Sequence, residues 1–392
     1  MSKVIPIHAD RAHAKLSASG SGKWLTCTPS AHLEDQFPDE QSEFASEGTF
    51  AHEVFEHLMQ AHLGLHRSDL RPFKTHKFWS ADLLDHVMAA VDVAKLAVAE
   101  ARDRCADPVI LVEQRLDFSP WVPAGFGTGD LVIITDDLVE VMDLKYGKGI
   151  PVDVEGNTQL QLYALGAYNE LSHLYDIRRV RMTVLQPRLS NFGSAELLVE
   201  DLLDWAENIV KPRAALAWEG HGEFVAGDHC SSYFCRARFT CAARAGHAME
   251  LARSDFALVE PELLTDEQIR QVLERGDAVA KWVSDVQSFA LKQAEQGRTW
   301  PGFKLVEGRS NRRYTDQDAV AQRLVDAGIE EALIYERSLL GITAMEKAIG
   351  KKKFVELLTD LVEKPSGKPA LVPEGDKRAA ISSVASAAAD FS

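Results

Sequence analysis

No stretch of this chain holds roughly 18 or more consecutive apolar residues, so none is built to cross a bilayer as a helix. The opening MSKVIPIHADRAHAKLSASGSG lacks the apolar core that marks a secretory signal, and the protein is expected to stay in the cytoplasm of the cell that makes it. No internal repeat is visible, which excludes solenoid and propeller architectures. Positive charge is in short supply: 43 Lys and Arg stand against 59 Asp and Glu, for a net charge of −16. A protein that coats nucleic acid through its overall field is therefore excluded, and any contact with phosphates must use a local basic surface and metal ions. Cysteine is sparse, with five in 392 residues. In a cytosolic chain such thiols point to metal or catalysis before disulfides, and Cys230, Cys235 and Cys241 crowd into one short segment.

What is present is ordinary for a globular protein, with 46% hydrophobic and 26% charged residues in a length suited to one large domain or two smaller ones. After an unstructured start, residues 47–63 (EGTFAHEVFEHLMQAHL) read as an amphipathic helix, and 80–104 as a second with apolar residues three and four apart. Segments 109–116, 129–134 and 138–144 are short, β-branched and separated by Gly or Asp turns, which predicts strands. Residues 157–172 read as a helix, 179–186 as a strand ended by Pro187, and 198–218 as a helix. Helical periodicity returns over 265–296, opened by Thr265 and Gln268 in capping-box spacing. Short helices and turns are expected over 301–362. The Pro, Gly, Ala and Ser content from Ser366 onward predicts a loosely held tail. The fold class expected is α/β, a small mixed sheet flanked by helices with a mainly helical C-terminal extension. The expected division is a core over 1–250, a helical accessory region over 251–365 and the tail over 366–392.

One triplet carries chemistry. Asp143 ends a predicted strand and Lys145 follows two residues later, so strand period two places both side chains on one face. A hairpin turning at residues 135–137 brings Asp130, on the preceding strand, toward that pair. Two carboxylates are the ligand set that hard Mg2+ or Mn2+ prefers, and a lysine beside them can orient a nucleophile and stabilise developing negative charge. Alone, a D-x-K triplet is an ordinary surface ion pair. His52 and Glu56 share a helix face at i, i+4, as do Gln159 and Tyr163, and alone each is an ordinary packing pair.

Taken in order, GTFAH (48–52), GTGD (127–130), DLK (143–145) and QLQLY (159–163) resemble the motif set of the RecB-like branch of the PD-(D/E)XK nucleases, over roughly residues 25–245. The resemblance implies the restriction-endonuclease-like core. It implies that His52, Asp130, Asp143 and the backbone carbonyl of Leu144 bind the metal and that Lys145 serves catalysis. It also implies that Gln159 and Tyr163 position the DNA or the site. Glu56 is a candidate to orient the His52 ring and Lys148 a candidate phosphate contact. Glu113, on the strand before Asp130, is expected to face solvent.

Thiolates are soft ligands suited to zinc or an iron–sulfur cluster, and either needs a fourth donor beyond Cys230, Cys235 and Cys241. The arrangement resembles the iron–sulfur variant of the same family, of the AddB and CRISPR-adaptation-exonuclease type, in which one cysteine before the core and three after it hold a [4Fe–4S] cluster. That implies Cys27, Cys230, Cys235 and Cys241 as its ligands and a structural staple between the ends of the core. Zinc, with His229 as an alternative ligand, remains open. Cys105 is expected to be a packed core residue.

Basic residues gather at Arg178, Arg179 and Arg181, at Lys211 and Arg213, and at Arg236, Arg238 and Arg244. Together they are candidates to line a DNA channel. Of the nearby aromatics Tyr233, Phe234 and Phe239, at least two are expected to pack around the cluster. The C-terminal extension, with a lysine run at 351–353, looks like those of phage proteins carrying this core. Its expected partners are DNA, a single-strand annealing protein or a second copy of the chain. The function expected is a metal-dependent DNA exonuclease, with a catalytically silent nuclease-fold binding module as the alternative.

Overall fold

The computed structural model describes residues 14–38, 43–149, 151–254, 266–306, 316–330, 334–335, 340–358 and 361–362. It divides into two compact units, Met1–Lys292 and Gln293–Ser392.

The first unit is built on a five-stranded mixed sheet in the order β1-β2-β3-β4-β5. β1 (Val109–Asp117), β2 (Phe126–Ile134) and β3 (Leu138–Leu144) form an antiparallel meander, closed between β2 and β3 by the turn in which Thr135 N–H donates to the Leu138 carbonyl at 2.9 Å. β4 (Arg179–Gln186) then runs parallel to β3. Parallel neighbours need a long crossover, and here it contains helix α5 (Thr158–Leu171), started by the Asn157 side chain accepting from Leu160 N–H. β5 (Asn191–Leu198) returns antiparallel at the edge.

Alternation along the strands sorts the core into two layers. Leu131, Ile133, Met142, Leu144 and Leu185 face helices α3 (Glu43–His62) and α4 (Ala81–Arg104). Val132, Ile134, Val139, Val141 and Val184 face α5, together with Leu202 of α6 (Val199–Trp205) and Ala214 of α7 (Lys211–Glu219). Both faces are covered, so β2 and β3 are almost wholly buried and read as continuous apolar runs. α5 approaches β1 closely at Gly166, where an added Cβ would lie 2.8 Å from the Leu116 Cβ and 3.1 Å from its backbone carbon. Gly166→Ala is therefore expected to destabilise the fold by about 1–3 kcal/mol through overpacking, read as a lower denaturant midpoint.

Three expectations are corrected. The start of the chain is folded from residue 14 onward. Leu16 and Trp24 are buried in the α5-side layer, and the short helices α1 (Ser21–Trp24) and α2 (Ser30–Leu33) pack there. The edge strand β5 was not anticipated, because its exposed alternation and Gly193 resemble a loop. The helix predicted over 198–218 is interrupted by a π turn at Ala206–Val210, just before Pro212, which has no N–H to continue the regular pattern.

Beyond the sheet, α8 (His229–Ser232), α9 (Ala242–Ser254) and the long α10 (Asp266–Glu295) follow. The Thr265–Gln268 cap and the tail over 366–392 lie outside the described residues. In the second unit, short helices span Gln317–Asp326, Ile342–Ile349 and Lys351–Leu358, the last opened by the lysine run. Among the described residues no helix is long and apolar enough to cross a membrane.

Candidate active site

β2 and β3 pair only from Leu131↔Met142 to Ile134↔Val139. One step further, at Asp130 and Asp143, the two strands part and leave a fork in the sheet. The same register places Glu113 of β1 opposite Asp130, between the pairs Val112↔Leu131 and Gln114↔Gly129. Three carboxylates thus stand in one row across three strands. Asp130 and Asp143 are buried, with 5% and 4% exposure, while Glu113 is half-buried. Glu113 adopts φ +52°, a left-handed backbone that a non-glycine residue holds at a cost of about 1–3 kcal/mol.

The fork is knit by polar contacts from both faces. Asp130 Oδ2 accepts from Leu144 N–H at 2.5 Å, replacing a lost ladder bond and fixing Leu144 at the branch point. From the α3 side, His52 Nε2 lies 3.4 Å from Asp130 Oδ2, and its Nδ1 bonds the Gly48 carbonyl at 2.8 Å. From the α5 side, Gln159 Nε2 donates to Asp143 Oδ1 and to the Tyr163 hydroxyl, both at 3.0 Å. Lys145 Nζ lies 2.8 Å from Asp143 Oδ2 and donates to Gln159 Oε1 at 2.7 Å. The structure therefore gathers His52, Asp130, Asp143, Leu144, Lys145, Gln159 and Tyr163 at one place.

Electrostatics follow from packing three acids together. Burial, reinforced by the Asp130 charge, pushes the Glu113 carboxyl up to about 7. Burial likewise raises Asp143, against the pull of Lys145. Burial opposes charge on His52, yet the Asp130 carboxylate outweighs it and holds the ring's pKa up at about 10. Burial, with Asp143 nearby, raises the Tyr163 phenol and keeps it a neutral hydrogen-bonding group.

The donor set was tested for its fit to a divalent cation. Despite the close Lys145 ammonium, Asp143 Oδ2 is buried without a properly directed hydrogen bond. An unsatisfied oxygen among three carboxylates and an imidazole is suited to Mg2+ or Mn2+. As the side chains stand, no three His, Cys, Asp or Glu donors among the described residues are drawn tightly around one point, so binding would require them to close in.

Glu113 is the residue that the sequence reading placed in solvent. Alternation gives no sign of a left-handed turn within a strand, and the one available signal was its position opposite Asp130. Glu56 does not orient His52: its carboxylate accepts from Gln60 at 2.7 Å, and the Gly48 carbonyl takes the ring N–H role instead. Lys148 is exposed beyond the fork.

The basic residues expected to line a channel are each engaged by a neighbour. Arg178, Arg179 and Arg181 lie at the start of β4, away from the β3 end that carries Asp143 and Lys145, and are tied to acids. Arg178 pairs with Asp176, Arg179 with Asp137 and Glu196, and Arg181 with Glu196 and Glu140. Lys211 pairs with Glu207, and Arg213 donates to the Leu25 carbonyl at 2.6 Å. Arg236, Arg238 and Arg244 bond the Phe37, Cys235 and Arg238 carbonyls, and Arg244 also pairs with Asp285 at 2.7 Å.

All five cysteines are unpaired thiols. Cys27, Cys230, Cys235 and Cys241 line a single pocket, which His229 also lines. Burial pushes the Cys235 thiol up to about 11, with Glu34 adding to the effect. The pocket's walls are joined without any cross-link by the buried Glu34, which accepts from Lys23 Nζ at 2.8 Å and from Arg236 N–H at 2.7 Å. Thr28 adds a bond to the His221 carbonyl at 2.6 Å. Phe234 is 73% exposed, Phe239 stacks on Phe289 at 5.8 Å and the Tyr233 ring covers Gly22, so these aromatics do not wrap the pocket as expected. Phe224, Val225 and Leu33 line it instead. Cys105 is buried just after α4, its thiol 3.8 Å from Asp136.

Fold and site together define a mixed α/β protein with a buried acid–lysine centre at a fork in its sheet and a separate four-thiol pocket. The chain belongs to the family described as "Protein of unknown function (DUF2800)", whose profile matches residues 13–379. It is also similar to a solved structure titled "Crystal structure of SSO0001", at 13% identity and a TM-score of 0.25, over 57% of this chain and 96% of that one. A likeness at that score carries no weight for the fold.

Proposed function

We propose that this protein is a Mg2+- or Mn2+-dependent deoxyribonuclease of the RecB-like PD-(D/E)XK type, an exonuclease that processes DNA ends for recombination or repair. The observation that carries the reading is the fork, where Asp130 and Asp143 face each other with Lys145 and Gln159 hydrogen-bonded beside them. Asp130, Asp143, His52 and the Leu144 carbonyl would hold the ion, and Glu113 joins them as a third carboxylate. When bound, the ion would supply a more acidic water and a polarised phosphoryl oxygen.

The chain's own residues do the rest. Gln159 holds Lys145 and Asp143 in a fixed relation, so the ammonium is aimed before substrate arrives. Water attacks phosphorus and loses its proton to solvent, the bond to the 3′ oxygen breaks, and that oxygen leaves protonated by solvent. The products are a 5′-phosphate and a 3′-hydroxyl. Lys145 stabilises the charge that grows on the phosphoryl oxygens.

The four-thiol pocket would hold a [4Fe–4S] cluster. Cys27, Cys230, Cys235 and Cys241 would be its ligands, with zinc as the alternative occupant of the same thiols. Its place between the N-terminal helices and the segment after α7 makes it a staple, remote in role from the chemistry.

The test is incubation of end-labelled single- and double-stranded DNA with the purified protein, with Mn2+ and with EDTA. Shortening from an end that requires Mn2+ and yields 5′-phosphate supports the reading. Intact DNA of every form with both metals overturns it.

A further inference from the structure

With the expected channel arginines each engaged by a neighbouring acid or carbonyl, one guanidinium near the fork stands apart. Arg188 lies in the short 3-10 turn Pro187–Leu189 directly after β4. Three residues before Arg188, in that strand, the Leu185 carbonyl accepts from Lys145 N–H at 2.8 Å, so the turn begins beside the catalytic lysine's own backbone. The Arg188 guanidinium lies 4.7 Å over the ring of Tyr146, the residue after Lys145. Its Nη1 donates to Glu47 Oε2 at 2.9 Å, one residue before the Gly48 whose carbonyl holds His52. Arg188 thus spans the two walls of the site, the β3 end and the start of α3.

Its bonding is incomplete. The side chain is only 11% exposed, yet Nε is buried without a hydrogen-bond partner. Arginine carries five N–H donors in a planar fork, and the Glu47 contact is a single-point one. A guanidinium kept only to tie α3 to the sheet gains most from a two-toothed carboxylate pair. A guanidinium stacked on an aromatic ring with a donor in reserve can offer two N–H groups to a pair of oxygens, and the two non-bridging oxygens of a phosphodiester are such a pair.

We propose that Arg188 is a phosphate-binding residue of this protein. It takes a phosphodiester of the bound strand next to the one cleaved beside Lys145, with Glu47 as the partner that the phosphate displaces. The inference rests on the nuclease reading of the fork and adds to it a binding contact from a different strand and turn.

The test compares the unaltered protein with Arg188→Ala, Arg188→Lys and Glu47→Gln in Mn2+-dependent cleavage of an end-labelled oligonucleotide at several salt concentrations. Arg188→Ala is expected to raise KM about 10- to 100-fold, the range for a charge-assisted hydrogen bond, with kcat changed far less. The slope of log KM against log salt should fall by about 0.7–0.9 for one lost phosphate contact. Arg188→Lys should recover part of the loss. Glu47→Gln should leave KM unchanged or lower it, because it frees the guanidinium. An unchanged KM and salt slope in Arg188→Ala, or a rise in KM with Glu47→Gln equal to that of Arg188→Ala, overturns the inference and leaves the nuclease reading standing. Absence of cleavage by the unaltered protein overturns both.

Discussion

Lys145→Ala is expected to lower metal-dependent DNA cleavage by about 100- to 1,000-fold, the loss measured when one preorganised stabiliser of transition-state charge is removed. The reason lies in where the ammonium sits. It is 2.8 Å from Asp143 and hydrogen-bonded to Gln159, so truncation removes the cation aimed at the reacting phosphate and also the neighbour that offsets a buried carboxylate. The side chain is 27% exposed, so its loss opens no sealed cavity and the fold should survive. Circular dichroism of the variant should match the parent, with a melting temperature lowered by the loss of the cation beside Asp143. Gln159→Ala should give a smaller loss, because it loosens the pair without removing either charge. Cleavage by Lys145→Ala at the parent rate would show that the fork is not the reacting centre.

The second large effect falls on the four-thiol pocket. Cys235→Ser is expected to abolish iron binding and the absorbance near 400 nm of a [4Fe–4S] protein. It should also cost stability of about 2–5 kcal/mol, the range for losing a native cross-link in a folded domain. Cys235 is buried, and its thiol is held protonated by burial and Glu34 unless a positive centre stands in the pocket. The cross-link would join Cys27 to a segment some two hundred residues later, which strongly restricts the unfolded chain. Glu34, Lys23, Thr28 and Arg213 already draw these segments together, so the variant should retain a folded core at low temperature and lose it on mild heating. Cys105→Ser, outside the pocket, serves as the control and should keep both colour and melting temperature.

Much of this arrangement was legible in the sequence because it follows from simple periodicities. The D-x-K spacing puts Asp143 and Lys145 on one strand face, and a two-residue-period hairpin brings Asp130 opposite Asp143. Helical spacing puts Gln159 and Tyr163 on one face of α5, where they meet each other and Asp143. What escaped depends on contacts between distant segments. Glu113 enters the row through a left-handed backbone that no strand pattern announces. Arg181 reads as a free cation until β5 brings Glu196 beside it, and β5 itself was hidden by an exposed, Gly-containing sequence. The N-terminal segment reads as loose because its helices are a single turn each, and only burial of Leu16 and Trp24 against α5 and its neighbours fixes them.

The fork is a strained feature of the protein. Three carboxylates share a buried row, one on an unfavourable backbone, and an oxygen of Asp143 lacks a directed hydrogen bond. Such strain gathers where a ligand is meant to bind. A divalent ion that binds only the folded state should stabilise it, by about 2.7 kcal/mol at a concentration 100 times its dissociation constant.

The most direct measurement is a Mn2+ titration that follows both melting temperature and cleavage rate, in the unaltered protein and in Asp143→Asn. The predicted result is a melting temperature and a rate that rise together and saturate at the same Mn2+ concentration in the unaltered protein, with neither responding in Asp143→Asn. Cleavage and stabilisation by Mn2+ that persist in Asp143→Asn, or a protein that responds to Mn2+ in neither respect, would contradict it.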